Sequence, residues 1–260
     1  MTNRKQIPHS LVLLLLLQLS FQGFSARVGA DGGSSLDPIN KYSSEGKVVL
    51  TPWSENVFNQ IEKEYGIESG KRMRYVYDLM QTNQQKSVRE KLEIVNTALN
   101  LFPWLSDKEL WNEDDYWATP LETLARFGGD CEDMAIGKFV MLRLMGIPKK
   151  NLYLGYVNIR QSGQPHMVLV WLNDDRTESL VLDHLDKEIK SGKDRKDLQA
   201  IYLFDADQKV ILLNDENGER SIKSEIGKRK MSKLESIKRR IIENNEKYKQ
   251  YNDGRPLWLN

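Results

Sequence analysis

The chain has 260 residues, 40% hydrophobic and 29% charged, with 38 Lys and Arg against 37 Asp and Glu and one Cys. That length supplies a core for one large domain or two small ones, and the composition excludes collagen, disorder along the whole chain and a disulfide scaffold. A formal charge of +1 gives no footprint of a nucleic-acid binder, and a single persistently apolar stretch excludes a polytopic membrane protein.

That stretch comes first. Arg4 and Lys5 precede a Leu-rich run over residues 11–19, which Gln18, Ser20 and Gln22 interrupt. It falls short of the roughly 20 apolar residues of a spanning helix. A basic start, a short apolar run and small residues after it predict an export signal over residues 1–30, with an uncleaved anchor as the other reading. Val28-Gly29-Ala30 fits the small-x-small cleavage rule best, Ser25-Ala26 next, and no lipidation Cys follows. The expectation is a protein outside the cytoplasm with no transmembrane span once the signal is removed. A single Cys in an exported chain cannot close an internal disulfide, so Cys131 needs an explanation.

Residues 31–46, rich in Gly, Ser and Asp, read as a flexible leader. Val57, Ile61 and Tyr65, then Met73, Val76, Tyr77 and Met80, then Val88, Leu92, Val95 and Leu99 keep helical spacing, and Phe102-Pro103 stops the last of these runs. An aromatic segment over 104–117 leads through Thr119-Pro120 to Cys131. Residues 131–145 are apolar almost all round, with Lys138 and Arg143 as exceptions, which predicts a helix buried at the centre of the domain. Strands are predicted over 152–159, 166–172, 179–183, 201–204 and 210–213, with turns between them. In the second and third strands both alternating faces are apolar, so the sheet should be covered on both sides. Helices followed by an antiparallel sheet give an α+β fold. Residues 223–240 carry eight bases against Glu225 and Glu235. Leu234, Ile237 and Ile241 keep helical spacing there, so a helix docked by one face with a solvated basic face competes with an anionic-lipid or phosphate surface.

Cys131, His166 and Asp183 suggest nucleophilic catalysis. Cys131 follows Gly128-Gly129-Asp130 and opens the buried helix, where unpaired N–H groups and the macrodipole favour a thiolate, and its own amide could donate to an oxyanion. His166 starts a strand after Gly163-Gln164-Pro165, placed to project from a sheet edge towards a helix end. Asp183 closes the next strand, where a carboxylate could hold the imidazole tautomer. Strand parity sets Asp183 and His184 on opposite faces, and Asp183 is the expected partner.

Asp130, Glu132 and Asp133 bracket the Cys. A capping box from Asp130 to Asp133 explains two of them. One carboxylate at about 6 Å nevertheless disfavours a thiolate by roughly 3 kcal/mol at an effective dielectric near 20, about two pKa units. A bound cation resolves the conflict, and carboxylate oxygens suit Ca²⁺. Asp130 and Glu132, with Asp133 as the further candidate, are the expected ligands.

Trp111-Asn112-Glu113-Asp114-Asp115-Tyr116-Trp117-Ala118-Thr119-Pro120-Leu121-Glu122, then Gly129-Asp130-Cys131-Glu132-Asp133-Met134-Ala135, then Gly163-Gln164-Pro165-His166-Met167-Val168-Leu169 and Leu182-Asp183-His184-Leu185, resemble the bacterial transglutaminase-like cysteine proteinases of the LapG type. The likeness runs from about residue 52 to 213. It implies a papain-like fold of the transglutaminase branch, with Cys131 as nucleophile, His166 as general base, Asp183 as orienter and calcium ligands at Asp130 and Glu132. It further implies a calcium-dependent periplasmic endopeptidase that clips the N-terminal region of a large surface adhesin at a pair of alanines and releases cells from a biofilm. The implied inhibitory partner is an inner-membrane cyclic di-GMP receptor of the LapD type. The organisation expected is a signal over 1–30, a leader over 31–46, the proteinase domain over 47–215 and a basic helical extension over 216–260. The competing functions are a transglutaminase or amidase using the same three residues, and a non-catalytic papain-like binding module.

Overall fold

The computed structural model describes residue 50 and residues 52–205, 210–212 and 225–258. The expected signal and leader, and the boundary near residue 215, lie outside these residues. Among the described residues no helix is long and apolar enough to cross a membrane.

Helices come first. The pair α1 (Glu55–Tyr65) and α2 (Ile67–Thr82) buries Val57, Phe58 and Ile61 against Met73, Val76, Tyr77 and Met80. Gly66, at φ 93°, ends α1 and lets α2 begin one residue later, a conformation an L-residue resists. Helix α3 (Val88–Leu99) opens with a capping box between Ser87 and Glu90 and buries Leu92, Val95, Ala98 and Leu99. Two short helices follow, α4 (Asp107–Trp111) and α5 (Pro120–Arg126), where the sequence reading had only an aromatic segment. Both start on the same device, Ser106 with Glu109 and Thr119 with Glu122. The S/T-x-x-E spacing was visible in the sequence.

Helix α6 (Cys131–Leu144) is central: it buries Met134, Ala135, Ile136, Met141, Leu142 and Leu144 on several sides and packs against α3, α5 and the sheet. The sheet comprises β1 (Leu152–Ile159), β2 (Pro165–Leu172), β3 (Ser179–Leu182), β4 (Lys190–Ser191), β5 (Leu198–Phe204) and β6 (Val210–Leu212), antiparallel throughout in the order β4-β3-β2-β1-β5-β6. Residues 167–170 and 180–182 are buried whichever way they point, as a sheet covered on both faces requires. Helices followed by an antiparallel sheet make this the expected α+β fold. The two-residue β4 is too short for a period-2 pattern to reveal it.

Helix α7 (Glu225–Lys249) and the turns after it return to the helical side. Leu234, Ile237 and Tyr248 are buried, and Trp258 meets Trp53 edge to face at 5.1 Å. The basic face of α7 is not wholly solvated: Lys233 and Arg240 turn inward onto residues 115–122.

Candidate active site

The start of α6 is fixed by close backbone packing. The Leu105 N–H donates to the Gly129 carbonyl at 3.0 Å, and Trp104 bridges Gly129 in parallel. A Cβ on Gly129 would lie 2.7 Å from both Cβ and Oδ2 of Asp133, so no larger residue fits there without a shift. These contacts put Cys131 at the first helical position, against β2, where the Met167 backbone N–H bonds its sulfur. Met167 is the neighbour of His166.

His166 lies near the start of β2, an interior strand rather than a sheet edge, paired with Val157 of β1. Its imidazole is buried and its Nε2 lies 2.8 Å from Asp183 Oδ1. Nδ1 is therefore the ring nitrogen left to serve a thiol. Asp183 is 1% exposed and held from several directions. The Leu185 N–H donates to Oδ1 at 3.0 Å, Arg195 Nη2 donates to Oδ2 at 2.7 Å, and the Asn100 amide at the end of α3 donates to its backbone carbonyl at 2.8 Å. Burial alone would raise its carboxyl pKa, but the His166 bond and charge and the Arg195 and Leu185 bonds hold it well below the usual carboxylate range. Arg195 is itself buried and gripped by Asp197, through Nε at 2.9 Å and Nη2 at 2.8 Å. His184 takes no part in that bond; its ring centre is 5.5 Å from that of His166, and burial pushes its pKa down to about 4.

The sulfur is in a different condition. The Cys131 thiol donates to Glu132 Oε2 at 2.9 Å and makes no hydrogen bond to the imidazole. Burial and the charges of Glu132 and Asp130 raise its pKa, against the one favourable Met167 amide. Burial first, and then the carboxylates at the same helix end, oppose the help that the helix N-terminus gives a thiolate, which is the conflict the sequence already poses.

Those carboxylates form a larger cluster than the sequence suggests. Ligand oxygens of Asp107, Asp130 and Asp133 lie within 4.8 Å of one another, as do those of Asp107, Asp115 and Glu132. Asp107 and Asp133 are buried, and Oδ1 of Asp107 and of Asp130 has no hydrogen-bond partner. Burial, then repulsion from Glu132 and Asp115, lifts Asp107 to about 6; burial and neighbouring acids raise Asp130 and Asp133 as well. Orphaned buried oxygens on converging acids fit a hard divalent cation, which takes oxygen ligands and removes the repulsion. Asp130, Glu132 and Asp133, expected from sequence, are thus joined by Asp107 and Asp115, which it did not single out. Asp107 is more than 20 positions upstream and reads locally as a first-turn acid of α4.

A helix start bearing a lone Cys, set against an antiparallel strand that carries a His bonded to an Asp, places the chain among papain-like and transglutaminase-like cysteine enzymes. Comparison with known proteins narrows the class. The profile of the bacterial transglutaminase-like cysteine proteinases (BTLCP) matches residues 62–198, and the chain belongs to that family. Among solved structures, Legionella pneumophila LapG is 30% identical with a TM-score of 0.57, the match covering 70% of this chain and 96% of that one. Its EGTA-treated form matches with the same identity and coverage at a TM-score of 0.58, and its calcium-bound form covers 71% of this chain and 98% of that one at 0.57. Among curated proteins nothing matches.

Proposed function

We propose that this protein is a calcium-dependent periplasmic cysteine endopeptidase. It cuts the N-terminal region of a large surface adhesin and is held in check by an inner-membrane cyclic di-GMP receptor. The observation that carries the catalytic part is the buried His166–Asp183 pair, one residue from the amide that faces the Cys131 sulfur. Family membership supports the chemistry, the calcium-bound relative supports the metal, and the resemblance to LapG-type proteinases supports the adhesin and the receptor. The N-terminal export pattern supports the compartment.

In this reading His166 Nδ1 takes the proton of the Cys131 thiol, and the sulfur attacks a substrate peptide carbonyl. The Cys131 amide, at a position with no intrahelical acceptor, donates to the oxygen as it gains charge. Asp183, kept ionised by Arg195 and the Leu185 amide, holds the ring and stabilises the imidazolium. His166 then returns the proton to the leaving amine, and water releases the acyl group. Asp107, Asp115, Asp130, Glu132 and Asp133 are the residues that would hold Ca²⁺. When bound, it supplies positive charge that offsets these acids, so that the sulfur need not ionise against them.

The test incubates the mature protein with N-terminal fragments of co-encoded large adhesins, with and without EGTA, beside Cys131→Ala. A Ca²⁺-dependent cleavage missing from the variant is expected. Cleavage that continues in EGTA sinks the metal, and cleavage by Cys131→Ala sinks the nucleophile. Incorporation of a labelled amine into a Gln donor would point to acyl transfer instead.

A further inference from the structure

Helix α7 lies beyond residue 198, where the family match ends, and carries the basic run that the catalytic reading leaves without a role. Its inward side chains converge on residues 115–119 and on Glu122 just beyond them. The Arg240 guanidinium donates from Nη1 to the Tyr116 hydroxyl at 2.5 Å and to Glu122 Oε2 at 2.9 Å, and from Nη2 to the Trp117 carbonyl. It also sits over the Tyr116 ring, 4.6 Å from the centroid. Lys233 donates to the Asp115 carbonyl, and Asn244 Nδ2 to Thr119 Oγ1 at 3.4 Å.

The same segment faces the carboxylate cluster with its amides. The Tyr116 N–H donates to Asp107 Oδ2 and the Ala118 N–H to Asp133 Oδ1, each at 2.6 Å. The Trp117 indole donates to Asp115 Oδ1 at 3.1 Å. The Asp115 and Trp117 carbonyls and the Tyr116 and Thr119 side chains thus go to α7, while the Tyr116 and Ala118 amides hold Asp107 and Asp133 and the Trp117 indole holds Asp115. Each of those bonds fixes one oxygen of an acid; on Asp107 it leaves the orphaned Oδ1 as the free one.

We infer that α7 is a clamp that pre-forms the cation cluster, with Arg240 as its positioning residue. This rests on the reading of the cluster as a Ca²⁺ site. Arg240 touches no carboxylate of the cluster in these bonds. It acts through the segment, as outer partners of metal ligands do when they orient donors before binding. Released from α7, residues 115–119 would no longer hold Asp107 and Asp133 in register, and cation binding would have to order them. Lys233 is a poorer probe, because its ammonium lies 3.8 Å from Asp115 Oδ2 and its removal changes the local charge as well.

The test measures binding of Ca²⁺ by calorimetry and of Tb³⁺ by tryptophan-sensitised luminescence, for which Trp117 is well placed, on the purified mature chain. Arg240→Met is expected to weaken both by about tenfold or more. Arg239→Met, at a side chain 72% exposed, should bind like the parent. Arg240→Lys keeps the charge but not the fork that reaches three acceptors, so it should fall between, and it serves if the Met variant does not fold. Binding by folded Arg240→Met, or by Arg240→Lys in its place, within about twofold of the parent overturns the clamp, even if the melting temperature in EGTA has fallen. A parent chain that binds neither ion overturns the calcium reading and the clamp with it.

Discussion

The His166–Asp183 corner and the acidic mouth of α6 are both largely buried and both charged, and each adjoins a group that meets the Cys131 sulfur, yet they are built on opposite terms. In the corner each charged group has an opposite charge supplied by the chain itself, with only Nη1 of Arg195 left without a partner. Asp183 takes His166, Arg195 and an amide, and Arg195 takes Asp197. At the mouth two trios of carboxylates meet at Asp107, two of their oxygens have no partner, and burial together with the charges of Glu132 and Asp130 raises the thiol pKa. A satisfied network rigidifies a site, whereas an over-charged one needs protons or a cation to be stable. The comparison separates what folding completes alone from what a ligand must complete.

The sharpest way to break that contrast is Asp183→Ala. If the corner orients the base, kcat on a cleavable adhesin fragment should fall by about 10³ to 10⁴ with KM little changed. A loss below tenfold would remove the corner from catalysis.

Arg195→Met tests whether the corner is balanced by the chain. The Arg195 and Asp183 side chains are 2% and 0% exposed, so removing one partner leaves a buried charge short of its counter-ion. The expected cost is about 3–5 kcal/mol in urea unfolding. A change below about 1 kcal/mol would mean that His166 and the Leu185 amide suffice.

Lys138 sharpens the comparison from below the site. It is buried in α6, and burial lowers its pKa from 10.5 to about 7 even though Asp183 opposes the shift. Between those two values the unfolded chain binds more protons than the folded one, so this group adds stability as pH rises from about 7 to 10.5. The stability of wild type relative to Lys138→Met should therefore increase over that window, by about 4 kcal/mol. Parallel stability curves for the two proteins would show that the Lys is not neutral when buried.

Much of the fold can be read along the chain. The apolar run after Cys131 predicts a buried central helix, and the bounds read for the first strand, 152–159, are those of β1. The shorter pieces fail for want of pattern: β4 has two residues, and α4 and α5 have too few turns for a 3.6-residue period, though their capping spacings mark where each begins. Within the site, Cys131, His166 and Asp183 each have a local reason, a helix start, a strand start and a strand end. Arg195 has none, since it sits in the polar stretch Ser191-Gly192-Lys193-Asp194-Arg195 with no periodicity.

The sequence by itself determined the order of helices and strands, the central place of the helix that Cys131 opens, and the conflict between that sulfur and the acids beside it. These follow from neighbours, through periodicity, capping and short-range charge. Only the tertiary structure decided that Asp107 and Asp115 join Asp130, Glu132 and Asp133, that Arg195 closes the charge balance behind Asp183, and that two bases of the C-terminal helix turn inward. Each of those contacts joins residues at least a dozen positions apart in sequence, and such encounters depend on how packed elements meet rather than on any local preference.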